Sequence, residues 1–175
     1  MNDIIKAMKT RRSIRKFKSD MPPKDYINQI IEAGLYAASS RGRQAVITIA
    51  VTNKELRDRL SAVNCKIGGW EKGFDPFYGA PVVLIVLAEK NLPNRIYDGS
   101  LVMGNMMLAA HSLGLGSCWI HRAKEVFELE EYQNLLSELG VNGEYEGIGH
   151  CVVGYIDEDY PTAPKRKENR VFFAE

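Results

Sequence analysis

The chain has little of what marks several large classes of protein. Its 175 residues include three cysteines, Cys65, Cys118 and Cys151. Their odd number and the lack of any C-x-x-C spacing exclude a disulfide framework and the usual zinc sites, so a reducing compartment is the simplest setting. An excess of one charge is also missing. The 23 Lys and Arg against 22 Asp and Glu leave a net charge of +1, whereas a dedicated nucleic-acid binder usually carries a large basic surplus. No apolar run approaches the roughly 20 residues that cross a bilayer. The opening Met1–Thr10 is polar, without the apolar core of a secretion signal. No catalytic triad and no metal-ligand cluster can be recognised. The expectation is a soluble, cytoplasmic protein with no membrane, nucleic-acid or metal partner.

What is present is ordinary in bulk and unusual in one place. A hydrophobic content of 45% and a charged content of 26% are those of a globular protein, and the length suits a single domain over residues 1–175. The basic residues, however, gather at Lys6–Lys18 and at Lys165–Arg170.

Apolar spacing predicts helices over Asp3–Lys9, Lys24–Ala38, Lys54–Asn64, Leu101–Leu113 and Lys124–Leu139, the last with a break near Glu128. Strands are expected over Val46–Thr52, Val82–Ala88, Ser117–Ile120 and Ile148–Ile156. The continuous run Val82–Ala88 reads as a strand buried on both faces. Asp98 or Ser100 can cap the Leu101–Leu113 helix. That helix is apolar nearly all round and must be covered on every side, which a subunit interface would do. The aromatic, glycine-rich stretch Gly68–Gly79 could cover a pocket or fill a gap between elements. The pair Gly114-x-Gly116 is no dinucleotide fingerprint, because it follows a helix instead of opening one. Cys118 and Cys151 lie in apolar runs and read as buried small hydrophobes.

The run Arg11-Arg12-Ser13-Ile14-Arg15-Lys16-Phe17 organises the rest. Arginine's planar fork suits phosphate and carboxylate oxygens, with charge-assisted bonds worth roughly 1.5–3 kcal/mol each. Ile14 and Phe17, three residues apart, can anchor the segment on a core and so aim Arg11, Ser13 and Arg15 at one bound anion. A basic run alone also fits a solvated edge.

This run resembles the opening of the FMN-dependent nitroreductase family. Two further landmarks follow in the family's order: the loop Ser39-Ser40-Arg41-Gly42-Arg43-Gln44, and Asp98 with its helix leading into Gly114-Leu115-Gly116-Ser117-Cys118-Trp119-Ile120. The resemblance extends from about Ile4 to Phe173. It implies an α+β fold with a mainly antiparallel central sheet flanked by helices, in a domain-swapped homodimer with FMN near the interface. Residues 157–175 would then form a tail that adds a strand to the partner's sheet.

The same resemblance assigns roles. Arg11, Arg12 and Ser13, with Arg166 or Lys167 from the chain's end, would hold the flavin phosphate; which of Lys165–Lys167 does so is open. Arg15 would stabilise the negative charge that reduction places on the ring's N1–O2 edge. Ser39, Ser40, Arg41 and Gln44 would reach the pyrimidine edge and ribityl chain. Here the chain has Ala38, Gly42, Ala45 and Val46 where the family often has proline, asparagine, proline and tryptophan. Trp119, Ile120 and His121 would lie beside the ring, with a backbone N–H facing N5; the His121 imidazole could also donate to a substrate. His111 and His150 read as structural. No protein side chain need be catalytic, since the flavin carries the chemistry. The implied function is ping-pong hydride transfer from NADH or NADPH to a small electron-poor acceptor such as a nitroaromatic, quinone or activated alkene. Other flavin reactions on this fold, such as dehalogenation or heterocycle dehydrogenation, are the nearest alternative. A non-enzymatic anion or nucleic-acid binder is the distant one.

Overall fold

In the computed structural model, which describes residues 2–175, a four-stranded antiparallel sheet lies between two layers of helix. The elements are α1 (Asp3–Thr10), α2 (Lys24–Leu35), a short 3₁₀ turn (Ser40–Gly42), β1 (Val46–Val51), α3 (Lys54–Gly68), β2 (Val82–Glu89), α4 (Arg95–Ser112), β3 (Gly116–Ile120), α5 (Ala123–Val126), α6 (Glu130–Glu138) and β4 (Tyr145–Gly154). The strand order is β1-β2-β4-β3. The α+β architecture expected from the sequence is therefore the one observed.

The all-apolar β2 explains the layering. Its side chains alternate between two cores, as strand geometry requires. Val83, Ile85 and Leu87 join the core under α3, α5 and α6, which also holds Leu60, Phe77, Phe127 and Tyr132. Val82, Leu84 and Val86 join the core under α2 and α4, with Ile30, Met103 and Met106. Neighbouring β4 must be approached closely by α5, and Gly147 permits this. A Cβ there would sit 2.2 Å from the backbone of Ala123.

Element boundaries moved where capping or pairing overrode periodicity. α4 starts at Arg95, six residues before the expected Leu101, because Arg95 pairs with Glu146 of β4 and ties the first turn to the sheet. Asp98 consequently lies inside the helix and caps nothing. α3 runs past Asn64 to Gly68 and stops on Gly69 in the left-handed conformation. The break expected near Glu128 is real and separates α5 from α6. Within the single chain α4 leaves Ile96, Tyr97 and Leu101 exposed, alongside Ile4, Ile5 and Met8 of α1 and Leu35 of α2. No helix among the described residues is long and apolar enough to cross a membrane.

The core also contains a fully buried histidine. Burial drives the His150 imidazole down to about 4, offset only in part by the nearby peptide oxygens of His121 and Ile120. The unfolded chain takes up this proton near pH 6.5, the folded chain only near 4. Stability owed to the neutral ring is thus present above pH 6.5 and lost as pH falls toward 4, by up to about 3 kcal/mol.

Two predictions follow from this architecture. Denaturant midpoints at pH 7 and pH 4.5 should fall more steeply for the wild type than for His150→Phe; equal slopes would contradict the assignment. Gly147→Ala should lower stability by about 1–3 kcal/mol or more through overpacking, read as a lower midpoint at unchanged denaturant slope.

Candidate functional site

The basic run is strapped to the sheet along its whole length. Ile14 N–H donates to Ser117 O at 3.0 Å, Phe17 N–H to Tyr78 O at 3.2 Å and Lys18 N–H to Tyr155 O at 2.9 Å. Lys16 O accepts from Asp157 N–H at 3.0 Å. Ser13 pairs with Ser117 at the start of β3, and Phe17 with Ile156 beyond β4. Ile14 (1% exposed) and Phe17 (6%) are the buried anchors their spacing promised. Gly116 makes room for this: a Cβ on it would meet Ile14 and Ile156 at 2.9 Å.

One cation of this run is neutralised, Lys16 by Asp157 at 3.1 Å, and its three arginines are not. Arg11, Arg12 and Arg15 have no ion-pair partner among the described residues. Arg11 Nη1 and Arg12 Nε are buried without a hydrogen-bond acceptor. A buried donor left unpaired costs about 1–3 kcal/mol, and an oxyanion bound here would remove that cost. Arg12 is itself held in place, its Nη1 donating to Lys9 O at 2.9 Å and to Arg11 O at 2.6 Å.

Contacts not foreseen from the sequence, from Tyr160 and His111 to Thr10 and Arg12, fix the run from behind. Tyr160 Oη accepts from Arg12 N–H and donates to Thr10 O, each at 3.1 Å. The His111 ring, in the last turn of α4, lies between them, with Nε2 2.9 Å from Thr10 Oγ1 and Nδ1 3.1 Å from Tyr160 Oη. Burial, then the charges of Arg11 and Arg12, hold His111 below its ordinary pKa.

Beyond Ser117, β3 leads to the other predicted segment. Trp119 is half-buried, Ile120 is buried and His121 is exposed, with its ring 6.1 Å from that of Trp119. His121 O accepts from Asn64 Nδ2 of α3 at 2.8 Å. Both cysteines nearby are buried thiols. Burial pushes Cys118 up, and Cys151 to about 12, so neither supplies a thiolate nucleophile at neutral pH.

The loop 39–44 sits elsewhere. Ser40 donates through N–H (3.0 Å) and Oγ (2.9 Å) to the buried carboxylate of Asp98. Ser39 Oγ accepts from Gln44 N–H at 3.1 Å. Arg41 (φ 55°) and Gln44 (φ 52°) are left-handed, a conformation that costs a non-glycine residue energy and must be enforced by these bonds. Asp98 belongs to the first turn of α4 and His111 to its last, thirteen residues on, or about 20 Å of helix. The chain therefore brings Arg11, Arg12, Ser13 and Arg15 together with Ser117–Trp119, and keeps Ser39, Ser40, Arg41 and Gln44 at the far end of α4.

The aromatic stretch divides its roles. Phe77 is buried in the core. Trp70 and Phe74 meet in a tilted pair, ring centres 5.6 Å apart, and, still 44% and 41% exposed, wall a cavity of about 640 Å³ against Ser61, Cys65 and Lys66 of α3. Asp75 ties the loop down by accepting from Arg57 Nη2, Ser61 Oγ, Phe77 N–H and Gly79 N–H at 2.5–2.9 Å. Burial pushes its carboxyl up, but those bonds outweigh it and hold the pKa below the usual range.

The tail from Asp157 has no regular structure after Tyr160 and ends with Val171, Phe172 and Phe173 exposed. Arg166 donates only to the neighbouring Pro164 O, at 2.7 and 3.1 Å, and Lys167 is exposed. Neither meets Arg11 within the protomer.

Known proteins resemble this chain in sequence and in fold. The model of the nitroreductase family matches residues 8–66 and 69–159. A relative from Methanothermobacter thermautotrophicus, whose name includes NAD(P)H nitroreductase, is 34% identical over 121 residues, covering 67% of this chain and 60% of its own length. The chain thus spans well under two thirds of that relative. An iodotyrosine deiodinase from Thermotoga neapolitana is 26% identical over 185 residues, covering 95% of this chain and 96% of its own. The crystal structure of a nitroreductase with bound FMN from Bacteroides fragilis superposes with a TM-score of 0.88 at 28% identity, over the whole of both chains. The fold, the order of the landmarks and these likenesses converge, and the chain belongs to the nitroreductase family.

Proposed function

We propose that the chain is an NAD(P)H-dependent FMN oxidoreductase acting on small electron-poor acceptors. The observation that carries this is the pair of buried, unpartnered guanidinium nitrogens on Arg11 and Arg12, strapped beside β3. Such a site fits a doubly charged phosphate monoester, and the neighbouring strand offers half-buried and exposed surface at Trp119 and His121 for a flat ring. When bound, FMN supplies the two-electron hydride chemistry between a reduced nicotinamide and the acceptor.

The chain's residues then bind, orient and stabilise. Arg11, Arg12 and Ser13 hold the phosphate. Arg15 supplies positive charge where reduction makes the ring anionic. The backbone at His121 and Arg122 would lie beside the ring's N5 edge. NADH or NADPH and the acceptor use the same face in turn, so no separate nucleotide fold is needed.

A homodimer completes the site. Ser39, Ser40, Arg41 and Gln44 lie about 20 Å along α4 from Arg11, too far to share one small ligand within a protomer. A second copy seated on the exposed apolar side chains of α1, α2 and α4 would bring its own loop to this protomer's arginines. It would also give Phe172, Phe173 and the cations Arg166 and Lys167 of the 157–175 tail a surface to dock on. A second reading, reductive dehalogenation, is favoured by the deiodinase relative's match to this chain in length as well as sequence. Turnover of nitroaromatics, quinones and halogenated phenols by the reduced protein separates the two.

Arg11→Ala and Arg15→Ala should each weaken FMN binding by about 10- to 100-fold, the loss of one charge-assisted bond. Fluorescence titration of the apoprotein with FMN measures this. Unchanged affinity in both variants would overturn the assignment of the basic run.

A further inference from the structure

Asn64 is a polar residue buried to 0% exposure on α3, and its side chain is spent on one peptide. Its Nδ2 donates to His121 O at 2.8 Å and lies 3.4 Å from His150 Nδ1. A trans peptide is planar, with its C=O and N–H pointing in opposite directions. Holding the His121 carbonyl inward on Asn64 therefore turns the Arg122 N–H outward. That N–H has no acceptor among the described residues. Arg122 itself has φ 80°, a left-handed conformation worth about 1–2 kcal/mol against a non-glycine residue. A strained residue persists where its surroundings enforce it; here Asn64 holds the peptide before Arg122, and Val126 N–H, donating to Arg122 O at 2.9 Å, holds the one after it.

We propose that Asn64 is a positioning residue, fixing the His121–Arg122 peptide so that the Arg122 N–H is a preset donor to the N5 edge of bound FMN. This rests on the flavin reading above. A donor held at that point favours oxidised flavin, whose N5 accepts a hydrogen bond, over reduced flavin, whose N5 carries a hydrogen. Asn64 thereby lowers the flavin's midpoint potential and makes the reduced protein a stronger reductant, without touching the cofactor. With a smaller or apolar side chain at 64 the peptide is free to turn, and its carbonyl can meet the reduced N5–H.

The test compares the FMN-loaded wild type with Asn64→Leu, which keeps the branched heavy-atom skeleton and removes the donor, and Asn64→Ser, which keeps a shorter donor. The midpoint potential should rise in Asn64→Leu, by about 30 mV for each tenfold change in the ratio of affinities for oxidised and reduced FMN. Asn64→Ser should rise less. A lower melting temperature with the wild-type potential in both variants would show a merely structural asparagine and overturn the proposal. If Asn64→Leu does not fold, Asn64→Ser decides alone on the same readout. If the wild type takes up no FMN, the flavin reading has failed independently. The ¹³C shift of the His121 carbonyl then tests the pinning in the free protein, and an unchanged shift in Asn64→Ser overturns it.

Discussion

Ile14 and Phe17 are the two side chains on which the functional reading depends. Each is buried, and burying a residue of that size stabilises by about 1.5–3 kcal/mol. They lie within a run of four cations, which water would otherwise draw off the sheet. Their burial offsets the desolvation of Arg11 and Arg12, whose inner nitrogens meet no acceptor. The result is a strip of fixed positive charge, its Lys16 paired with Asp157 and its arginines free of ion pairs among the described residues, held along β3 by backbone pairing at Ser13 and Phe17. A mobile basic arm would cost ordering entropy on binding a phosphate; this one has already been ordered by the core.

The long helix α4 sets the second constraint. Its last turn supports the basic run through His111, and its first turn supports the 39–44 loop through Asp98. The same helix thus fixes two polar sites and keeps them apart. Its exposed flank, with that of α1, offers the apolar surface on which the proposed dimer would bring the two together across protomers. Dimerisation and cofactor binding are in that view one event, since a lone protomer carries only part of the site.

Much of this was legible in the sequence. The spacing of Ile14 and Phe17 named the anchors, and the unbroken apolar run at Val82 named the central strand. What was not legible came from contacts distant in the chain. Tyr160 and Thr10 gave no local signal because their role exists only when the end of the chain returns to its beginning. Asn64 looked like an unremarkable helix residue, and its use is defined by His121, 57 residues away. Periodicity places the helix start near Leu101 and so makes Asp98 or Ser100 its cap. The pairing of Arg95 with Glu146 extended the helix back past Asp98 and left its carboxylate for Ser40. The separation of the 39–44 loop from Arg11 is likewise a matter of helix length, invisible in motif order alone.

The central claim is that the arginine-lined edge of β3 holds a redox-active flavin. The most direct measurement is a visible absorption spectrum of the purified protein, repeated without oxygen after adding NADH and then NADPH. The account predicts an oxidised-flavin spectrum, present as isolated or after adding FMN, that bleaches with one nucleotide or both. A colourless protein that takes up no added FMN would contradict it.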